Sequence, residues 1–402
     1  MKHLKISLFL IIIFNLFINI STSHSQNFYK YPKTNVSGEK CEQLLNKMNM
    51  PNPNYEKNSP TVVSVDFLVE RIFEINGKDM EFETFFSLWY DWNEIRLKDI
   101  LIDLDLYNDV GKRSFLCSYN PILLWGSGQK LFYPVIEFYN KKSKTNMNQG
   151  GDADWVDIYS DGNVGTRLRD NATFSADFDF RRFPFDTQKL SFELWSEYPS
   201  TLIEIIPEPI SMSAYKENSY RIDGVPIQIP GWKVNEVDHY TYEYLDDDGM
   251  PYQGLYVTIN IARQSSYYLF KIILPIIFIL VISWSVFWVR GSQLEAKVNV
   301  TIVCLLSLIA YNFIIDEDLP KLAYLTFLDS FILLSYFYTG IATILCVTSF
   351  VQKLKSGKDL SIIDKKAQWF GPLSYFLILF AMLIYFYNIE GVGAMLAKVF
   401  NP

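Results

Sequence analysis

Apolar residues are distributed along this chain in two different rhythms. From residue 26 to 266 they alternate with polar ones over short runs, as in Phe82-Glu83-Thr84-Phe85-Phe86, Val156-Asp157-Ile158-Tyr159 and Leu190-Ser191-Phe192-Glu193-Leu194. A period of two over such runs predicts strands with one buried face. Asn76-Gly77 and Asp161-Gly162 are hairpin-turn signals between them. About ten strands in this region predict an all-β sandwich, immunoglobulin-like in its two-layer plan. Only around Cys41–Met48 does the spacing turn helical.

Beyond residue 267 the apolar residues run together in four blocks, Leu269–Val289, Val298–Ile315, Thr326–Val351 and Phe370–Tyr387. Each is long enough to cross ~30 Å of hydrocarbon as a helix. Residues 267–402 are therefore expected to form a four-helix transmembrane bundle. The link between the third and fourth blocks, residues 352–366, carries Lys353, Lys355, Lys358, Lys365 and Lys366, which assigns it to the cytoplasm. The link between the second and third is mainly acidic and suits the outside. A further apolar stretch, residues 6–20, follows Lys2, His3 and Lys5 and ends near Ser23-His24-Ser25. It reads as a secretory signal peptide spanning residues 1–25. Loop charge and export agree on one topology: a multi-pass protein of the cell membrane with the sandwich of residues 26–266 extracellular or periplasmic.

Composition changes this picture mainly by exclusion. The 402 residues carry a net charge of −8 and only three histidines. No nucleophile–base constellation, metal-ligand spacing or phosphate loop is recognisable, so neither an enzyme nor a cofactor nor a nucleic-acid partner is expected. Asp152, Asp154, Asp157 and Asp161 do not have calcium-loop spacing and read as a solvated loop entering a hairpin. Cys41 and Cys117, in the exported part, are compatible with one disulfide or with two free thiols. Asn35-Val36-Ser37 and Asn171-Ala172-Thr173 fit the glycosylation pattern.

The second span is not a plain lipid anchor. It opens with Glu295 and Lys297, carries Asn299 one turn inside, and closes with Asp316, Glu317 and Asp318. Polar groups at that depth are costly and face a cavity or a partner. At about 100° per residue, Glu295, Asn299, Val303, Leu306, Ala310, Phe313 and Glu317 share an arc of about 80°. They form one stripe.

Several motifs, in order, resemble those of the pentameric ligand-gated ion channels, the Cys-loop receptor superfamily of the nicotinic acetylcholine receptor and its bacterial relatives. Trp92-Asn93-Glu94-Ile95-Arg96-Leu97 resembles the W-x-D-x-R-L strand, with Glu for Asp. The segment from Phe132 to Asn140 resembles W-x-P-D-I-x-x-Y-N, with Phe and Val for Trp and Asp. Phe183-Pro184-Phe185-Asp186-Thr187-Gln188 matches F-P-F-D-x-Q of the signature loop. Arg263, Tyr267, Tyr268 and Pro275 match the approach to the first membrane helix; Leu305-Leu306-Ser307-Leu308 and Leu319-Pro320-Lys321 resemble the second helix and its following loop. Ser283-Trp284-Ser285-Val286-Phe287-Trp288 looks closest to the amine-gated bacterial member. Ala176 and Leu190 replace the loop's paired cysteines, and the cytoplasmic link is short, both features of bacterial members.

The resemblance implies a homopentamer, each chain joined by four identical subunits in a lipid bilayer, with the stripe facing a central pore. Glu295 would form a carboxylate ring at the cytoplasmic mouth. At ~6 Å and an effective dielectric of ~40–80, each carboxylate attracts a monovalent cation by roughly 0.7–1.4 kcal/mol, so monovalent cations are the expected permeant ions. Asn299 would add a neutral polar ring. Val303, Leu306, Ala310 and Phe313 would line a dry stretch, with Leu306 and Phe313 as the gate. Thr301, Ser307 and Asn312, on other faces, are expected to bond neighbouring helices.

Tyr244 and Tyr252 match the tyrosines of the agonist-capping hairpin, loop C, with Asp246 and Asp247 where the receptor has adjacent cysteines. Tyr139 matches loop A. Loop B falls at Trp195-Ser196-Glu197-Tyr198, with Glu197 in the aromatic's strict register. Trp89 is the expected loop D aromatic, although Ser87 is in strict register. Aromatic faces attract cations by ~0.5–2 kcal/mol each, so a small extracellular amine is the expected agonist. Asp186 and Arg263 match a charge pair beneath the sandwich, near Pro320. The third acid of that set would fall at Asn76 or Gly77, with Asp79 close enough to substitute. Two rivals stand beside this reading. One is a proton- or divalent-modulated channel of the same family, although Leu308 occupies the place of the pore histidine in an acid-gated bacterial relative. The other is a membrane-anchored β-sandwich binding protein.

Overall fold

The computed structural model describes residues 36–52, 60–108, 113–121, 123–124, 130–142, 153–207, 229–289, 293–315, 319–356 and 362–400. The signal-peptide reading, Asn35, Asp152, Asp316, Glu317 and Asp318 lie outside the described residues, and so do the side chains of Asn312 and Phe313.

The alternating region folds into two packed sheets. Ten strands are described: β1 (Thr61–Asn76), β2 (Glu81–Asn93), β3 (Phe115–Tyr119), β4 (Ile136–Phe138), β5 (Ala153–Tyr159), β6 (Asn163–Ser175), β7 (Thr187–Pro199), β8 (Ile203–Pro207), β9 (Trp232–Leu245) and β10 (Pro251–Arg263). Six form one sheet in the order β3-β5-β6-β2-β1-β8, and four form the other in the order β4-β7-β10-β9. Their inward positions interlock as phenylalanines. Phe67 meets Phe192 at 4.8 Å, Phe86 meets Phe138 at 4.9 Å and Phe174 meets Phe192 at 4.9 Å between ring centroids. Each such buried ring contributes about 1.5–3 kcal/mol, and edge contacts add about 0.5–1.5 kcal/mol.

The Asn76-Gly77 turn is longer than a two-residue hairpin. Asn76 pairs with Glu81 across the ladder, and Met80 takes φ 55° to close the loop. The Asn76 side chain holds it, donating to Asp79 Oδ2 at 2.8 Å and accepting from Asp79 N at 3.1 Å. Asp157 and Asp161 have separate partners: Ser118 Oγ donates to Asp157 at 2.6 Å, and Asp161 accepts from Asn163 N at 3.1 Å.

Two short helices flank the sandwich. α1 (Gly38–Lys47) covers the expected helical stretch, whereas α2 (Leu97–Asp103) carries no strong period and escaped the sequence reading. Cys41 of α1 is disulfide-bonded to Cys117 of β3, which resolves the open alternative. Glu94, nearly fully buried, takes two hydrogen bonds from Arg96 at 2.7 Å each. Its extra methylene relative to Asp leaves that motif's ion pair intact.

Four helices follow: α3 (Ser266–Trp288), with a π turn at Leu269–Ile273, then α4 (Leu294–Ile315), α5 (Phe327–Ser356) and α6 (Ile362–Phe400). All four are long and apolar enough to cross a bilayer. α3, α5 and α6 meet in an aromatic knot: Trp284 lies 6.0 Å from Tyr338 and 5.5 Å from Tyr375, which are 5.1 Å apart. α6 begins at Ile362, so the stretch read as cytoplasmic link already supplies its first turn.

The disulfide closes a sequence separation of 76 residues. Replacing both cysteines by serine is expected to lower stability by about 2–4 kcal/mol, read as a lower melting midpoint of the detergent-solubilised protein. An unchanged midpoint would mean that α1 docks without the bond.

Candidate functional site

Three regions carry the predicted residues. The first is an aromatic cluster where β4, β7 and the β9–β10 hairpin meet. Tyr244 and Tyr252 are direct cross-strand partners, their rings stacked at 5.6 Å. Trp195 of β7 lies 6.2 Å from Tyr244 and 5.9 Å from Tyr139. Asn140 explains why Tyr139 stands there. Its amide donates to Ser191 O at 2.8 Å and Ser175 O at 3.1 Å, and its oxygen accepts from Glu193 N at 3.2 Å. The chain is thus pinned one residue beyond Tyr139, whose own N–H donates to Glu193 O at 2.8 Å. Tyr139 is left 71% exposed, presenting its ring to solvent.

Glu197 sits diagonally across the β4–β7 ladder from Glu137, which pairs with Trp195. Partial burial, and then the neighbouring Glu137 carboxylate, push Glu197 above the usual carboxylate range. Tyr198 packs on Phe132 at 5.4 Å. Asp246 accepts from Met250 N at 2.7 Å and Asp248 N at 3.0 Å, so this loop C carboxylate shapes the hairpin tip. Sequence reasoning missed Tyr240, Tyr242 and Tyr256, which extend the cluster: Tyr242 lies 6.2 Å from Tyr244, and Tyr240 stacks on Tyr256 at 5.4 Å. For Tyr240 and Tyr242 the available signal was their period of two with Tyr244 along β9, while Tyr256 joins through its register with Tyr240.

Trp89 lies on the other sheet, in register with Asp66 and Arg167. Ser87 is buried and donates to Glu70, so on that strand Trp89 rather than Ser87 reaches the surface. The chain does not bring Trp89 to loop C; only a neighbouring subunit could supply it there.

The second region is the exposed face of α4. Glu295, Asn299, Val303, Leu306 and Ala310 are all exposed on the protomer, Val303 at 61% and Leu306 at 60%. The opposite face, about 170° around the helix, buries Lys297, Thr301, Cys304 and Leu308 against the bundle. The expectation for Thr301 and Ser307 is corrected. Both turn back on their own helix, Thr301 donating to Val298 O at 3.0 Å and Ser307 to Val303 O at 2.9 Å. A carbonyl three or four residues earlier is always within reach of a helical hydroxyl.

The third region is the junction of sandwich and bundle. Arg263 donates to Asp186 from Nε at 2.7 Å and from Nη2 at 3.0 Å. Asp186, fully buried, also accepts from Gln188 at 2.6 Å. The guanidinium lies 4.1 Å from the Trp232 ring centroid and 4.8 Å from that of Phe183. Asp79, the proposed substitute for the third acid, is instead held by Asn76. Pro320 is half-buried, but the contacts across the junction come from residues after it: Phe180 N donates to Tyr324 Oη at 3.1 Å, Phe327 N to Arg181 O at 2.9 Å and Leu328 N to Phe183 O at 3.2 Å. Arg182 reaches α6, donating to Phe386 O at 3.0 Å.

The family model for the neurotransmitter-gated ion-channel ligand binding domain matches residues 38–265. The chain belongs to that family, as a bacterial-type pentameric ligand-gated ion channel of the Cys-loop superfamily that lacks the loop cysteines. It is 26% identical over 305 residues to the proton-gated ion channel of Gloeobacter violaceus, covering 74% of this chain and 75% of that protein. It is 28% identical over 202 residues to pH-sensitive chloride channel 2 of Drosophila melanogaster, covering 49% of this chain and 38% of that one. Against the human glycine receptor subunit beta the identity is 25% over 284 residues, covering 69% and 52%. This chain is thus a multi-pass membrane channel protein with an extracellular ligand-binding sandwich, and not an enzyme.

Removing one member of a desolvated charge pair leaves the other uncompensated, at a cost of about 3–5 kcal/mol. Arg263→Ala is expected to abolish agonist-evoked current or surface assembly, measured by whole-cell recording with surface labelling. Wild-type current from that variant would rule the pair out as essential.

Proposed function

We propose that five identical copies form a cation-selective channel opened by a small extracellular amine bound between subunits. The observation that supports it best is the one-sided α4. Its own bundle covers the Lys297–Leu308 face and leaves Glu295, Asn299, Val303, Leu306 and Ala310 bare. In a bilayer, a carboxylate and an amide cannot be left to lipid. Around a five-fold axis the same face becomes a water path with carboxylates at the inner mouth and apolar rings above, which close by expelling water. Phe313 and Glu317 continue that stripe in sequence.

The amine follows from the cluster of Tyr139, Trp195, Tyr244 and Tyr252 with Glu197 and Glu137 beside it. Ring faces and carboxylates both favour a cation. Trp89 of the adjacent subunit completes the box. Ligand closure of the β9–β10 hairpin would pull on Arg263 at the far end of β10 and so on the Asp186 loop, which touches Tyr324, Phe327 and Leu328.

A second reading, gating or modulation by protons, has one specific observation behind it. Glu197 and Glu137 share a site and Glu197 is shifted upward, so its charge is lost at a higher pH than an ordinary glutamate's. As pH falls through that raised value, amine attraction weakens.

A panel of primary and quaternary amines should open the wild type and fail, or need at least about tenfold more ligand, with Tyr252→Ala. Amine sensitivity should fall on acidification, starting at a higher pH than an ordinary glutamate would dictate, and Glu197→Gln should flatten that dependence. Silence to every amine, or an equal response from the mutant, would defeat the amine reading. Opening by acid without any amine would establish the second.

Glu295→Gln should move the reversal potential toward the chloride equilibrium potential under a salt gradient. An unmoved reversal potential would remove Glu295 as the filter.

A further inference from the structure

α4 presents two charges in its first turn, on opposite faces. Glu295 is exposed, while Lys297, about 200° further round, is 3% exposed. A cation in the first turn of a helix opposes the macrodipole, and one buried in a membrane bundle needs a partner. The partner is Asp364, in the first turn of α6 and 67 residues away in sequence. Lys297 Nζ lies 3.4 Å from Asp364 Oδ1, with side-chain exposures of 2% and 0%. Ser349 of α5 donates to the other oxygen, Oδ2, at 2.6 Å. Three helices therefore meet on one carboxylate at the cytoplasmic end of the bundle.

Packing alone does not account for this arrangement. An apolar pair of similar volume is generally as stable as a buried ion pair, or more so. What the pair changes is charge. Five Glu295 carboxylates at the mouth would be opposed by five Lys297 ammonium groups two residues further along, inside a low-dielectric bundle that screens them poorly.

We propose that Asp364 determines ion specificity from outside the pore: by compensating Lys297, it leaves the Glu295 ring free to select cations. The inference rests on the cation-selective reading above. It makes a residue of α6, outside the α4 stripe, part of the selectivity device. Ser349 is a positioning residue that orients the carboxylate toward Lys297.

The test compares sodium-to-chloride permeability ratios from reversal potentials in wild type, Asp364→Asn, and Lys297→Met with Asp364→Asn. The single variant leaves Lys297 uncompensated and should lower the ratio by at least about tenfold. The double variant is neutral again and should return to within about twofold of wild type. A single variant with the wild-type ratio, or a double variant as impaired as the single, overturns the proposal; the latter would mark a purely structural contact. Should Asp364→Asn not reach the surface, the swapped pair Lys297→Asp with Asp364→Lys preserves the bridge. It should keep the wild-type ratio, and a lowered ratio there overturns the proposal equally. Glu295→Gln recorded alongside separates the two claims. If it has no effect, the cation reading itself falls. If it is impaired while Asp364→Asn is normal, only the role of Asp364 falls.

Discussion

Polar groups cannot be abandoned in hydrocarbon, and that constraint governs α4 from both sides. Its bundle-facing side carries Lys297, which is tolerated because Asp364, itself held by Ser349, meets it there. Its open side carries Glu295 and Asn299, for which the protomer provides no cover. A helix with one polar face satisfied internally and the other left bare is built to meet water, or copies of itself around water. The apolar residues between, Val303 and Leu306, share that open side with the two polar ones.

The sandwich meets the bundle at the start of α5 and at α6. Its phenylalanine core makes two rigid sheets, so motion at the β9–β10 tip can be carried along strands rather than absorbed by loops. Tyr252 and Arg263 lie at opposite ends of the same strand. The first stands in the aromatic cluster and the second is locked to Asp186. The Asp186 loop rests on the start of α5 through Phe185, whose ring is 5.6 Å from Phe327. Site and span are thus joined by one β-strand and one buried ion pair.

How much of this the sequence disclosed depended on range. The stripe on α4 was legible because a period of 3.6 residues is local; its residues through Ala310 lie within a wider exposed face that also takes in Val300, Ile302 and Ile309. The alternating strands were legible for the same reason, whereas Tyr244 and Tyr252 were singled out through family resemblance and their cross-strand pairing came from the structure. The Asp186–Arg263 pair, 77 residues apart, came only through family resemblance. Lys297 and Asp364 had no such guide, since nothing in either segment specifies the crossing of α4 with α6. Local chemistry also misled. Thr301 and Ser307 had a nearer acceptor than any neighbouring helix, and Asp79 was claimed by Asn76 before it could reach Arg263. Tyr240 and Tyr242 were overlooked because abundant tyrosines obscured their period of two with Tyr244, and Tyr256 because only the sheet register sets it beside Tyr240.

Direct imaging bears on the central claim more than any current trace. In a single-particle reconstruction of the purified protein in lipid nanodiscs, five α4 helices should surround one axis, with Glu295, Asn299 and Leu306 pointing inward and Lys297 buried against Asp364. A lone protomer, or an assembly in which the Lys297 face lines the axis, would contradict the account.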